Sequence, residues 1–141
     1  GNVTQEVQGA GINGTFEAVA VGYVEAMTMT MNFRTVTKKA IQLAEPRNHN
    51  LDLRAAQQEH DTRTGLITQA KVKHVVVAQP KKLNLGKLAQ ASPGEVNGEY
   101  AVSYLATYIN GEKMIEIDIL NYIYFINGTD YLAEVRKALG K

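Results

Sequence analysis

The sequence contains no cysteine and no tryptophan, and only three of its 141 residues are proline. Without cysteine, a disulfide framework, a thiolate zinc site and a cysteine nucleophile are all excluded. A surplus of either charge is also missing, because 15 Lys and Arg stand against 14 Asp and Glu, which gives a formal net charge of +1. A chain this close to neutral is not an obvious nucleic-acid binder, and it associates more readily than a highly charged one.

Long hydrophobic runs are absent as well. The longest apolar stretch is residues 122–126, far short of the roughly 20 residues that a membrane-spanning helix needs. The first residues lack the basic start and apolar stretch of a secretory signal. With 45% hydrophobic and 21% charged residues, the composition is typical of a folded protein. We expect one soluble intracellular domain covering residues 1–141.

What the sequence does contain is strand periodicity. Over residues 27–33 every second residue is apolar, which predicts a strand with one buried face. A weaker strand is predicted over residues 51–58, and a stronger one over 67–78 that Pro80 closes. The turn residues 61–65 lie between these two strands and predict a hairpin.

A second hairpin is predicted around Asn110-Gly111, the preferred pair for a two-residue type I′ turn. With these two residues as the loop, residue 109 pairs with residue 112. Each pair further from the turn then has residue numbers that add up to 221. One face then carries the pairs Tyr104 with Ile117, Val102 with Ile119, and Ala106 with Ile115. The other face carries Ser103 with Asp118, Leu105 with Glu116, and Thr107 with Met114.

Helical signals are few. A C-terminal helix is predicted over residues 130–139, opened by Asp130, with Leu132, Val135 and Leu139 on one stripe and Gly140 after it. A short helix is predicted at about 37–44, and residues 81–99 are expected to form a loop with a turn at 92–94. The predicted fold class is mostly β with a C-terminal α-helix and this one short helix.

Catalytic chemistry finds no support in the sequence. Residues 9–14 match G-x-G-x-x-G, but β-branched residues follow where a dinucleotide site needs a helix, so a glycine loop between strands is the better interpretation. His49, His60 and His74 lack metal-ligand spacing, and Glu59-His60-Asp61 is expected to be a solvated turn. Glu116 and Asp118 are two residues apart and lie on the same face of a strand. A solvent-exposed sheet face accounts for this carboxylate pair without a catalytic role. We predict no catalytic, cofactor or metal site.

The strand that begins at Glu112 changes character along its length. Beyond Asn121 both of its faces are apolar, so this end should be covered on two sides. The C-terminal helix can cover one face. Either the same chain or a partner subunit covers the other, and tyrosine is enriched at such interfaces. The candidate interface residues are Leu120, Tyr122, Tyr124 and Ile126.

Several stretches, in order along nearly the whole chain, resemble the major tail tube proteins of contractile-tailed bacteriophages and phage-tail-like bacteriocins. They are residues 9–12, 27–34, 51–54, 58–61 with Gly65, 80–88, 117–122, 127–136 and 139–140. Family members usually carry a further N-terminal strand region, so we expect that region to be missing or shortened here.

The resemblance implies a structural protein without enzymatic activity, located in a virion tail or bacteriocin particle that is assembled in the bacterial cytoplasm. It implies hexameric rings that stack head to tail into a tube inside a contractile sheath. The implied fold is a β-sandwich or half-barrel whose sheet joins its neighbours' into a continuous inner barrel. The implied partners are further copies of the chain, the sheath protein, the tape measure protein, and the baseplate and terminator proteins. DNA would pass through the lumen if the particle is a phage.

If the sheet lines a lumen, the face toward the lumen is in contact with water and should present the polar residues of the predicted strands. The lumen-facing candidates are Thr28, Thr30, Asn32, Arg34, Ser103, Thr107, Glu116 and Asp118. Glu116 and Asp118 would make the wall locally acidic, so that DNA gains nothing from counterion release there.

Charge is unevenly distributed along the chain. Residues 37–90 hold ten Lys and Arg against four acids, whereas both flanking regions are acidic overall. Opposite charges on two ends of a subunit would favour head-to-tail contact.

Two other function classes stay open at this point. One is a small β-rich ligand- or nucleic-acid-binding module using Lys71, Lys73, Lys81, Lys82 and Lys87. Missing aromatic residues among these lysines argue against base stacking. The other is a dinucleotide-binding enzyme.

Overall fold

A computed structural model describes residues 2–9, 12–21, 23–33, 37–83 and 96–140. Within these residues the chain forms nine strands and two short helices. The strands are β1 (Asn2–Gly9), β2 (Ile12–Val21), β3 (Tyr23–Phe33), β4 (His49–His60), β5 (Ile67–Leu83), β6 (Val96–Ile109), β7 (Glu112–Asp118), β8 (Ile123–Ile126) and β9 (Thr129–Asp130). The helices are α1 (Lys38–Gln42) and α2 (Ala133–Ala138). The predicted mostly-β class is confirmed.

Strand β6 organises an antiparallel sheet. Along one edge it pairs with β5, which in turn pairs with β4. Along the other edge its first half pairs with β3 and its second half with β7. From there β3 leads to β2 and β1, and β7 leads to β8 and β9. The sheet curls enough to bring β1 near β4.

One face of the sheet forms the core. The alternation in β3 is confirmed, because Met27, Met29, Met31 and Phe33 are all almost completely buried. Tyr100, Val76 and Leu105 join them from the neighbouring strands. Helix α1 packs on this core face through Ala40 and Leu43, and the Tyr100 hydroxyl donates to the Leu43 carbonyl at 2.9 Å. We call the opposite face of the sheet the open face.

The short helix predicted at 37–44 is confirmed. Thr37 is its N-cap, and its hydroxyl accepts from the Ala40 amide at 3.1 Å, which satisfies one of the free amides that begin a helix. The predicted C-terminal helix is shorter than 130–139 and spans 133–138. Asp130 belongs to β9 instead, and Leu139 is 55% exposed rather than part of a buried stripe.

Both predicted hairpins form, but one runs further than expected. Strands β4 and β5 pair from His49–Ala78 to His60–Ile67 around the predicted turn. Pro80 does not close β5, which continues to Leu83. The register with β6 shifts between Pro80 and Lys82, so that Lys81 is the extra residue of a bulge, a place where sheets tolerate proline. The loop predicted at 81–99 is therefore wrong at both ends, and its turn at 92–94 lies outside the described residues.

The Asn110-Gly111 turn is confirmed, with the positive φ angles of 51° and 83° that a type I′ turn requires. The predicted register holds for only two pairs, Ile109–Glu112 and Tyr108–Lys113. Met114 then forms a bulge, and its carbonyl accepts the Asn127 amide at 2.8 Å. Beyond it Tyr104 pairs with Asp118 and Leu105 with Ile117, so the predicted pairs of residues 104–107 are wrong by one position, and Val102 pairs with Met27 of β3 instead of Ile119.

The chain also reverses where one continuous strand was predicted. Strand β7 ends at Asp118, residues 119–122 form a turn, and β8 pairs back onto β7. Asp118 stabilises this turn, because its two oxygens accept from the backbone amide and the side-chain amide of Asn121 at 3.1 and 2.8 Å. Asn127-Gly128 then closes the hairpin between β8 and β9.

Candidate assembly surface

The open face brings together polar residues from two distant parts of the sequence. Thr28, Thr30 and Asn32 project from β3 away from the buried methionines, and all three are half-buried. Glu116 and Asp118 lie on the same face, opposite Ala106 and Tyr104. The two strands share this face because Ser103 is an extra residue in β6, inserted between the pairs Val102–Ala78 and Tyr104–Val77.

The other candidates for a wet face are placed differently. Ser103 is the bulge residue itself, half-buried, and its carbonyl accepts the Ile119 amide at 3.1 Å. Thr107 lies on the core face and is 3% exposed, with its hydroxyl 2.8 Å from His74 Nδ1. The extra residue Ser103 is the reason, since beyond it Leu105 and Thr107 lie on the core face, where Thr107 pairs with His74. Arg34 lies outside the described residues.

An aromatic and acidic cluster occupies one end of the open face. The Tyr104 hydroxyl donates to Glu116 at 2.6 Å, and Lys113 donates to the other oxygen of Glu116 at 3.2 Å. The Lys113 ammonium also lies 5.1 Å from the centre of the Phe125 ring, within cation–π range. Burial and the bond to Glu116 both raise the pKa of Tyr104, so the phenol stays protonated. The positive charge of Lys113 lies beside the negative charge of Glu116 in an ion pair.

A basic group lies next to this cluster on the open face, across Tyr108 of β6, and the presence of Arg54 in it was not predicted. Arg54 comes from β4, and Lys71 and Lys73 come from β5. Asp52 forms an exposed ion pair with Arg54 at 3.1 Å, and this bond lowers the pKa of Asp52. The Lys73 ammonium lies 4.8 Å above the Tyr108 ring. The signal was present, because Lys71, Lys73 and Arg54 occupy alternate positions in paired strands.

The candidate interface residues do not form one strip. Leu120 and Tyr122 lie in the turn after β7, where they are 69% and 39% exposed. Tyr124 packs against the core cluster, and Ile126 is half-buried at the end of β8. Tyr124 also contacts the Tyr131 ring, with 6.0 Å between centroids. Only the first two residues present apolar surface freely.

The largest exposed feature is the far part of the β4–β5 hairpin. Residues 55–69, which we call the arm, are exposed on both strands and in the turn. Pairing of β5 with β6 begins only at Val72, so β6 does not extend along the arm. Its turn is well formed, since the Asp61 carboxylate accepts the amides of Arg63 and Thr64 at 2.8 and 3.4 Å. Next to the turn, Leu66 and Ile67 are 62% and 66% exposed.

The remaining sequence motifs carry no site within the described residues. The two strands that flank the glycine motif, β1 and β2, pair as a hairpin with Gly9 opposite Ile12, and a strand follows where a dinucleotide site needs a helix. His49 and His74 are buried, with His49 Nε2 2.9 Å from the Glu45 carbonyl. His60 lies exposed on the arm. The described part of the chain contains no cluster of metal-binding side chains, and no helix there is long and apolar enough to cross a membrane.

The described residues thus form a sheet with one packed face, one largely polar face and an exposed arm. A sequence model of the phage tail tube protein FII family matches residues 2–140. The chain belongs to this family, and it is a structural protein of the phage tail tube. It is located in the virion tail and takes part in tail assembly with other tail proteins. No curated protein sequence matches the chain.

Proposed function

We propose that the chain forms hexameric rings which stack head to tail into the inner tube of a contractile tail. The whole of residues 1–141 acts as one tail-tube domain with no enzymatic activity. Its partners are further copies of itself, the sheath protein, the tape measure protein, and the baseplate and terminator proteins. The tube serves as the conduit for DNA in a phage, or for ions in a bacteriocin.

The arm is the observation that carries this proposal. A two-stranded hairpin alone in water is at best marginally stable, and residues 55–69 bury neither face in their own subunit. The two large apolar side chains beside its turn, Leu66 and Ile67, are both more than half exposed. Contact with a neighbouring copy would cover both strands, and repeated contacts of this kind build an open-ended tube.

The open face supports a role in lining the lumen. Several of its charges form ion pairs, as in Lys113–Glu116, Arg54–Asp52 and Lys81–Glu99. Ion pairs leave fewer free cations to release counterions from DNA, which is the main source of nonspecific affinity. A lumen wall of this kind lets DNA pass without holding it. The lumen-facing residues in this proposal are Thr28, Thr30, Asn32, Glu116 and Asp118.

Light scattering combined with negative-stain microscopy of the purified chain tests the proposal. We expect rings with sixfold symmetry and, at higher protein concentration, tubes that lengthen by stacking. Because the basic and acidic regions of the chain would attract one another between rings, stacking should weaken as the salt concentration rises. A chain that stays monomeric at all concentrations would contradict the proposal, and stacking that is insensitive to salt would contradict its electrostatic part.

A further inference from the structure

A cleft lies where the arm separates from the rest of the sheet. Its volume is about 550 Å³, and its lining comes from β4, β5, Tyr108 and the turn residue Gly111. Asn110 fixes one side of the cleft, because its amide donates to the Lys71 carbonyl at 2.8 Å and its side-chain oxygen accepts the Lys71 amide at 2.9 Å. The cleft is thus a built feature of the fold.

The lining of the cleft has two chemical parts. Arg54, Lys71 and Lys73 supply positive charge, and of these three Arg54 forms an ion pair within the described residues, with Asp52. The remainder is mostly apolar, from Ala55, Ala56 and Val72. The ligand that fits such a cleft carries a carboxylate next to apolar side chains. Tyr108 is not free to stack on a nucleic-acid base, because the Lys73 ammonium already lies over its ring.

The end of the arm has the matching composition. Glu59 and Asp61 lie beside the exposed side chains of Leu66 and Ile67. Glu59 forms no ion pair with any described residue, so its carboxylate is available to a partner. The bonds that Asp61 accepts from Arg63 and Thr64 lower its pKa, so its carboxylate is charged at neutral pH. The arm end lies about 20 Å from the cleft of the same chain, since each strand residue adds about 3.3 Å.

We propose that the arm end of one copy docks in the basic cleft of the next copy, with Glu59 and Asp61 facing Arg54, Lys71 and Lys73. Leu66 and Ile67 then lie against the apolar part of the cleft. This inference rests on the proposed function, in which the arm contacts a neighbouring subunit. Since the two contact surfaces are different parts of one hairpin, the contact is heterologous and repeats from copy to copy.

Site-directed crosslinking tests this contact directly, because the chain has no cysteine of its own. Ala56→Cys places one thiol in the cleft, and Thr62→Cys places another on the arm turn, both at exposed neutral positions. The two single-cysteine variants are mixed and treated with a short bismaleimide. We expect a high yield of the dimer crosslinked between residues 56 and 62, which we call the 56–62 product. The matched control mixes Ala56→Cys with the exposed Ala133→Cys and should give a lower yield.

Charge reversal separates this contact from simple proximity. Adding Lys71→Glu to the cleft variant should lower the 56–62 yield about tenfold, since a close attraction becomes a repulsion. Adding Glu59→Lys to the arm variant should have a similar effect, and combining the two reversals should restore most of the yield. A 56–62 yield equal to the control, or one unchanged by either reversal, would overturn the inference.

Two further readouts keep the alternatives apart. Fluorescence anisotropy with a short DNA duplex shows whether the cleft binds phosphate instead, and binding that Lys71→Glu abolishes would overturn the carboxylate assignment. Microscopy of the same samples separates the two proposals. Rings without a 56–62 product reject the cleft contact alone, whereas a 56–62 product without rings rejects the hexameric ring alone.

Discussion

The two halves of the β4–β5 hairpin share the same strands but have opposite environments. In the base, β5 alternates strictly, with Val72, His74, Val76 and Ala78 buried on the core face. In the arm this alternation stops, and every residue from 55 to 69 is exposed. The base is held by the sheet, by α1 and by the core. The arm contributes little to the fold and offers surface to other molecules. Stability and assembly should therefore be separable by mutation.

Removing the arm is expected to have the largest effect on assembly. Residues 58–69 can be replaced by Asn-Gly, which joins the paired residues Gln57 and Ala70 through a favoured two-residue turn. We expect the thermal unfolding midpoint to change by only a few degrees, while rings and tubes are lost entirely. Circular dichroism melts and negative-stain microscopy measure the two properties. A shortened chain that still forms tubes would show that the arm is dispensable.

A matched pair of truncations in β5 tests the same division by stability. Val76→Ala removes fully buried methyl groups from the base, which should cost about 2 kcal/mol of unfolding free energy. Ile67→Ala removes a larger but 66% exposed side chain from the arm and should cost less than about 0.5 kcal/mol. Urea denaturation of both variants measures the difference. Equal losses would mean that the arm packs against its own subunit in solution.

The base could be predicted from sequence because its signals are local. Period-two alternation located β3 and β5, and Asn110-Gly111 located the hairpin between β6 and β7. Exposure of the arm has a local signal too, since Gln57, Gln58 and Gln69 replace apolar residues there. The predicted register failed at Met114, where the bulge depends on a bond from Asn127, a residue of the next hairpin.

The turn at residues 119–122 was missed for a related reason. It contains no glycine or proline, and Tyr122 adopts a positive φ of 55°, which is unusual for a large residue. The turn forms because Asp118 binds Asn121 through both of its oxygens. The basic cleft was predicted only in part, because its lysines are visible in the sequence but Arg54, Lys73 and Tyr108 meet only through the pairing of three strands.

Within the base, the link between the sheet and α1 can be weakened without creating a cavity. Tyr100→Phe removes the hydroxyl that donates to the Leu43 carbonyl, and it leaves that carbonyl without this donor. Burial raises the pKa of Tyr100 to about 12, so the hydroxyl is protonated and able to donate at any ordinary pH. We expect a loss of about 1 kcal/mol in urea denaturation, with assembly intact. Tyr108→Phe on the open face is the control. An equal loss of unfolding free energy in that variant would show that the Tyr100–Leu43 hydrogen bond makes no particular contribution to stability.

The smallest effect concerns two of the hairpin's histidines, the buried His74 in the base and the exposed His60 in the arm. Burial lowers the pKa of His74 below its ordinary value of 6.5, whereas His60 is exposed on the arm. Below about pH 6.5 the unfolded chain therefore takes up a proton at His74 that the folded chain does not, so stability falls as the pH falls through this range. His74→Gln should reduce the slope of unfolding free energy against pH between 7.5 and 5.5, and His60→Gln should leave it as in the original chain. Comparing slopes instead of absolute stabilities removes the packing cost of each substitution. If both variants kept the original slope, His74 would not carry this pH dependence, and the two halves of the hairpin would differ in packing but not in protonation.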